Sequence, residues 1–104
     1  DQAAGVFYLL IQLNPDIFEF WFGLAACYHE QKLFEDAILA YKRAKTLKHE
    51  DPTFDLFIAE CYLEIDNRHE AKHHLATAHE LLKYVIVAEQ LLAKAEHLNM
   101  QLKG

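Results

Sequence analysis

The sequence predicts an all-α protein built from repeated helix-turn-helix units. The string AACYHE at residues 25–30 returns, little changed, as AECYLE at residues 59–64. The same shift of 34 residues places Ala37 on Ala71 and superimposes other small and apolar residues. Apolar residues also recur three and four positions apart, as on one face of a helix, and no stretch alternates as a half-buried strand would. A period of this length is typical of helix pairs that stack into a solenoid.

Residues 1–15 predict a single helix without its partner. The apolar face that contains Val6, Phe7, Leu10 and Leu13 needs a neighbouring helix. The segment aligns with the second half of a repeat, so the first helix of that repeat is expected to lie outside this sequence. The open face predicts either pairing with a second copy, in a homodimer, or fraying.

Two complete helix pairs are predicted next, at 18–51 and 52–83. Residues 18–30 and 35–48 are joined by the polar turn HEQKLF, and residues 52–65 and 69–82 by DNRH. Asp51 is the expected N-cap before a proline at the first helical position. The residues expected to pack inward are Trp21, Leu24, Ala25, Tyr28, Ala37, Tyr41, Ala44, Phe54, Ile58, Ala59, Tyr62, Ala71, Leu75 and Ala78.

Residues 84–104 predict a C-terminal capping helix. Its stripe through Tyr84, Leu91 and Leu98 suits a helix that covers the open face of the last repeat. A coiled-coil dimer arm is the alternative, although the stripe is short for one. Because LLKYVIV contains no helix breaker, the sequence leaves open whether 69–102 is one helix or two.

Composition and charge exclude several classes of function. With 104 residues, 53% of them hydrophobic, the chain is long enough for one small domain with its own core. A net charge of −6 argues against nucleic acid and anionic membranes as partners, since both need a basic surface. No apolar run is long enough for membrane insertion, and no signal peptide is predicted. Cys27 and Cys61 are equivalent in the two repeats, which predicts free thiols in a reducing compartment, the cytoplasm.

The inward residues resemble the tetratricopeptide-repeat pattern. All of them except Phe54 stand at its signature positions, which are filled in one full repeat and mostly filled in the next. The alanines stand where paired helices cross closely, since a larger side chain would force the helices apart. Two departures are Asp55, at the tryptophan-type position, and Pro52, which comes three residues later than in a consensus repeat.

A narrower resemblance is to the class II chaperones of bacterial type III secretion, which hold translocator proteins. It rests on FWFGLAACY, residues 20–28, and on EDPTFDLFIAECYLE, residues 50–64. Neither string belongs to the general repeat pattern, and the late proline is expected in this family. The family's N-terminal dimerising helix has no counterpart in this sequence. The resemblance implies a virulence chaperone of the bacterial cytoplasm that covers a proline-bracketed hydrophobic segment of a translocator until export, without ATP or bond chemistry.

Counting along the repeats predicts a peptide-binding surface on the concave side, which the first helix of each pair lines. It combines an apolar track with acidic and imidazole groups at its edge. Such a track suits an extended peptide that buries leucine or proline side chains, each contributing about 1.5–3 kcal/mol. An alternative for its larger side chains is packing against a neighbouring helix. The predicted residues are Glu19, Phe22, Ala26, His29, Thr53, Leu56, Glu60 and Leu63.

The competing interpretation is a generic tetratricopeptide-repeat adaptor for protein–protein interaction. One kind of adaptor clamps a terminal carboxylate with cationic donors. None of the eight predicted positions is Lys, Arg or Asn, which argues against that kind. A purely structural segment of a longer solenoid is the third interpretation.

Catalytic residues, metal ligands and cofactors are not predicted. The three glycines form no phosphate-binding loop. Glu60 and Glu64 have no base or nucleophile placed with them. His69 and His73, with His74 beside them, lie one turn apart but lack a third ligand and are expected on the outward face.

Overall fold

The computed structural model describes residues 2–48 and 51–103, and in those residues it contains five α-helices and no strand. The helices pack in chain order, each against the next, which confirms the predicted all-α helix-turn-helix architecture. Residues 1, 49, 50 and 104, which fall within the predicted segments 1–15, 18–51 and 84–104, lie outside the described residues. The helices are α1 (Gln2–Leu13), α2 (Phe18–Glu30), α3 (Phe34–Leu47), α4 (Pro52–Glu64) and α5 (Arg68–Lys103).

The turns within the two helix pairs have the same geometry. Lys32 and Asp66, one repeat apart, adopt positive φ values of 64° and 60°. The next residue in each turn bonds back across the helix end: Leu33 N–H donates to the Tyr28 carbonyl at 2.9 Å, and Asn67 N–H to the Tyr62 carbonyl at 2.8 Å. This six-to-one bond with a left-handed residue before it is the Schellman arrangement that ends helices. The HEQKLF and DNRH turns therefore end α2 and α4 in the same way, although their residues differ.

The predicted start of α4 is confirmed. The Asp51 carboxylate accepts a hydrogen bond from the Thr53 backbone N–H at 2.9 Å, and Pro52 occupies the first turn. Lys48 Nζ lies 3.4 Å from the other carboxylate oxygen. Partial burial by itself would raise the pKa of Asp51, but these bonds outweigh it and lower that pKa below its usual value.

The core forms where the predicted small residues let the helices approach. The signature alanines of both repeats are 0–1% exposed, and Tyr41, Phe54 and Ile58 are fully buried beside them. The prediction that Leu75 belongs to the core is wrong, because Leu75 is 43% exposed. The stripe of α5 that faces α4 runs instead through Ala71, His74 and Ala78, so Leu75 lies one position outside it.

Helix α5 is continuous over 36 residues, which decides between one helix and two. At about 1.5 Å per residue it is roughly 54 Å long, whereas α4 spans 13 residues. Only its first part packs on α4, and every residue from Leu82 to Lys103 is exposed. The expected capping segment is therefore helical but extends beyond the last repeat instead of lying across it. None of the described helices combines the length and apolar character needed to cross a membrane.

A buried ion cluster joins α3, α4 and α5. Asp55 has no exposed surface, and its Oδ1 accepts hydrogen bonds from Lys45 Nζ at 2.7 Å and His74 Nδ1 at 2.9 Å. Its other oxygen is buried with no hydrogen-bond partner among the described residues. The expectation that His74 lies on the outward face with His73 was wrong. A carboxylate at the tryptophan-type position needs buried donors, and His74 supplies one from α5.

Removing this carboxylate should destabilise the fold. Asp55→Ala leaves the buried imidazole and the Lys45 ammonium without their shared acceptor, so the free energy of unfolding should fall by about 3 kcal/mol. Glu80→Ala is the control, because Glu80 pairs with Lys83 at 3.3 Å on the surface and its loss should cost about 0.5 kcal/mol or less. Urea denaturation followed by circular dichroism measures both. Equal losses would contradict a structural role for the cluster.

Helix α1 packs on α2 through a close approach at Gly23. A Cβ placed on Gly23 would overlap the ring of Phe7, whereas one on Gly5 would meet nothing within 4 Å. Val6, Leu9 and Leu13 of α1 remain more than half exposed. The contact with Phe7 therefore orients a helix whose opposite side has no partner among the described residues.

The two glycines should respond in opposite ways to alanine. Gly23→Ala should lower the free energy of unfolding by about 1–3 kcal/mol, because the Phe7 ring must move. Gly5→Ala should raise it by about 0.5–1 kcal/mol, since alanine favours the helix and the site is open. Thermal unfolding of both variants tests this, and stabilisation by Gly23→Ala would show that the Phe7 contact is not restrictive.

Candidate peptide-binding surface

The residues predicted to bind a peptide on the concave side lie on α2 and α4, the first helices of the two predicted full repeats. Their side chains meet through aromatic rings: Phe18 contacts Phe54, and Phe22 contacts Phe54 and Phe57, with centroids 5.7–6.0 Å apart. The ring of Tyr41, from α3, stacks on the ring of Phe57, with the two centroids 5.5 Å apart. These rings make a packed base, and a base of this kind holds the surface residues in fixed positions.

Six of the eight predicted residues are exposed and two are half-buried. Leu56 and Leu63 are 43% and 53% exposed and lie two turns apart on α4. Ala26 is exposed on α2, so apolar groups are accessible on both helices. The remaining exposed positions are Glu19, Thr53 and Glu60.

Phe22 belongs to the base more than to the surface. Its ring makes edge contacts with Tyr41, Phe54 and Phe57. Packing against neighbouring helices, the alternative considered for both Phe22 and Leu56, therefore describes Phe22 but not the exposed Leu56. A charged substitution of Phe22 would disturb the core as well as any ligand contact.

His29 is the most constrained polar group of the surface. Its Nδ1 lies 3.0 Å from the Tyr41 hydroxyl, and its Nε2 lies 3.7 Å from Glu60 Oε1 across the gap between α2 and α4. The imidazole side chain is 18% exposed, whereas that of Glu60 is 59% exposed. The sequence predicted both residues on this surface but not their proximity, because they belong to different repeats.

A second concavity, which the sequence analysis did not identify, lies between α1, α2 and α3. It has a volume of about 240 Å³ and is lined by Tyr8, Trp21, Tyr28, Asp36 and other residues. Trp21 lines this concavity, and its indole N–H donates to the Pro15 carbonyl at 2.8 Å. Trp21 therefore lies away from the concave surface, although it stands next to Phe22 in the sequence.

The histidines of α5 and the two cysteines are the other residues with candidate chemistry. His69 and His73 are exposed, and no group of three His, Cys, Asp or Glu residues in the described part of the chain is arranged to hold a metal. Both cysteines are free thiols. Cys61 is fully buried, and burial raises its pKa to about 11, which keeps the thiol protonated.

Comparison with known proteins gives matches only in three dimensions. No protein-family model and no curated protein sequence matches the chain. Among solved structures, MamA of MSR-1 superimposes with a TM-score of 0.79 and 26% identity over 82% of this chain. This chain spans 49% of that MamA chain, about half of its length.

Two further solved structures are chaperones. PcrH in complex with the chaperone-binding region of PopD has a TM-score of 0.78 and 26% identity, over 94% of this chain and 74% of that one. The Yersinia enterocolitica type III secretion chaperone SycD, in complex with a peptide of the translocator YopD, has a TM-score of 0.75 and 25% identity, over 96% and 79%. The chain thus has a tetratricopeptide-repeat-like fold, and its structure resembles translocator chaperones of type III secretion.

Alanine substitutions should distinguish residues of the aromatic base from exposed surface residues by their effect on stability. Phe22→Ala removes three aromatic contacts and should lower the free energy of unfolding by about 3 kcal/mol. Leu56→Ala removes an exposed side chain and should change it by about 0.5 kcal/mol or less. Urea denaturation of the two variants is the measurement. A large loss for Leu56→Ala would mean that this leucine is part of the core.

Proposed function

We propose that this chain is a peptide-binding chaperone that holds a hydrophobic segment of a type III secretion translocator on its concave surface before export. The observation that carries the proposal is the pair of exposed leucines, Leu56 and Leu63, on a rigid aromatic base. The fold resembles SycD and PcrH, whose structures hold a YopD peptide and a PopD region. That likeness supports the same class of client for this chain.

The chemistry of the surface suits a segment that is hydrophobic and not acidic. Leu56 and Leu63 are already about half buried, so covering each with a ligand should gain roughly 1 kcal/mol, about half the value for a fully exposed leucine. Glu19 and Glu60 at the edge repel carboxylates, and the net charge of −6 adds to that preference. An extended, proline-containing segment fits because it leaves its side chains free for burial and has little conformational entropy to lose.

The remaining assignments follow from this proposal. We assign residues 1–15 to the second helix of a first repeat, 18–51 and 52–83 to full repeats, and 84–104 to the C-terminal helix. The proposed setting is the bacterial cytoplasm, without an enzymatic activity, a cofactor, nucleic acid or membrane insertion. A homodimer is part of the proposal because α1 and the end of α5 expose apolar residues.

A second candidate function is that of a generic repeat adaptor. It stays a candidate because the fold likeness extends beyond chaperones: MamA matches with a TM-score of 0.79, as high as theirs. The two functions differ in ligand. A chaperone should bind an uncharged apolar segment, whereas an adaptor of the carboxylate-clamping kind should bind an acidic peptide through its free terminus.

The test is a surface substitution with a matched leucine control. Leu63→Glu places a charge among the apolar groups and should weaken binding of a PopD chaperone-binding peptide by about tenfold or more. Leu75→Glu introduces the same change on α5, where Leu75 is 43% exposed, and should leave binding unchanged. Isothermal titration calorimetry measures both.

Two results would overturn the proposal. One is equal affinity of the two glutamate variants, which would place the site elsewhere. The other is binding of an acidic carboxyl-terminal peptide in preference to the PopD peptide, which would favour the adaptor.

A further inference from the structure

The imidazole of His29 is held in one orientation by its surroundings. Three rings contact it edge-on: Phe34 at 5.9 Å, Tyr41 at 5.8 Å and Phe57 at 6.1 Å. The hydrogen bond between His29 Nδ1 and the Tyr41 hydroxyl fixes the rotation of the ring among these three neighbours. A polar group with its position set before a ligand arrives binds without a further ordering cost.

The Tyr41 hydroxyl also determines where the His29 proton lies. Tyr41 is 2% exposed, and the bond to His29 Nδ1 is the hydrogen bond found for its hydroxyl within the described residues. Burial raises the pKa of the Tyr41 phenol far above its ordinary value, so the group keeps its proton. Because the buried phenol keeps its hydrogen, and His29 Nδ1 is the partner found for it within the described residues, we take Tyr41 as the donor of this bond. Neutral His29 therefore carries its hydrogen on Nε2.

This tautomer places a donor beside an acceptor at the concave surface. The Nε2–H of His29 belongs to α2 and the Oε1 of Glu60 to α4, and the two atoms are 3.7 Å apart. That separation is too long for a direct hydrogen bond, so both groups retain capacity for a ligand. In an extended chain the N–H and C=O of one residue point to the same side and bond together to a facing residue.

We propose that His29 and Glu60 form a clamp for one residue of a bound extended peptide, with His29 Nε2–H donating to its carbonyl and Glu60 accepting from its N–H. The inference rests on the proposed peptide-binding function and deepens it. The clamp recognises backbone, so it sets the register of the peptide without reading a side chain. Leu56 and Leu63 then select for apolar residues on either side. Proline is excluded at the clamped position, because it has no N–H to donate.

The tautomer can be tested without ligand. Nitrogen-15 NMR of the imidazole side chains in the intact chain should show His29 protonated at Nε2 and unprotonated at Nδ1 near pH 8. Tyr41→Phe removes the hydroxyl but keeps the ring, so His29 should change toward a mixture of tautomers. Observation of the Nδ1–H tautomer in the unaltered protein would overturn the clamp.

The clamp itself can be tested with backbone-modified peptides. In a series of PopD peptides, each with one amide replaced by an ester, a single position should bind about fivefold to tenfold more weakly because it lacks the N–H. Glu60→Ala should abolish that position-specific loss. Glu64→Ala, one turn further along α4, is the control and should preserve it.

The outcomes separate the clamp from the proposed function. If the PopD peptide binds, but every ester analogue binds equally or the loss survives in Glu60→Ala, the clamp is wrong and the chaperone function stands. If the unmodified peptide does not bind to the unaltered protein, the proposed function fails and the clamp fails with it.

Discussion

The packing of Tyr41 against the first helices of both repeats is the interaction on which the rest of the structure depends. Its ring contacts Phe22 of α2 and stacks on Phe57 of α4, so one residue of α3 joins two repeats. Its hydroxyl orients His29 at the surface. Stability and the geometry of the candidate site therefore have a common origin, because the side chains that bury the core also hold the surface residues in place.

A second interaction, the polar cluster around Asp55, stabilises the last repeat. Asp55 replaces an aromatic residue of the repeat pattern, and a buried carboxylate is costly unless several donors surround it. Lys45 and His74 both donate to its Oδ1 from the helices on either side, whereas Oδ2 has no partner among the described residues. The ring of His74 also stacks on Tyr62 at 5.6 Å, so the charged cluster continues into the aromatic packing. The cluster favours the observed packing of α5 on α4, since moving α5 away would remove His74 from the buried carboxylate.

The two ends of the chain expose apolar surface that the repeats do not cover. Val6 and Leu13 on α1, and Tyr84, Leu91 and Leu102 on α5, are each at least half exposed. Exposed apolar surface of this extent is typical of contact sites. The concave surface differs from both ends because its leucines stand on a packed base.

The sequence by itself determined the features that depend on local spacing. The period of 34 residues, the alanines at helix crossings and the Asp51 cap all follow from patterns within a few turns or one repeat. Only the tertiary structure decided what depends on side chains brought together from different helices. It buried His74 against Asp55, packed the half-buried Phe22 ring against Tyr41 and placed His29 beside Glu60. Periodicity assigns a residue to a face of its helix, but the depth to which it is buried and its partner depend on how neighbouring helices cross.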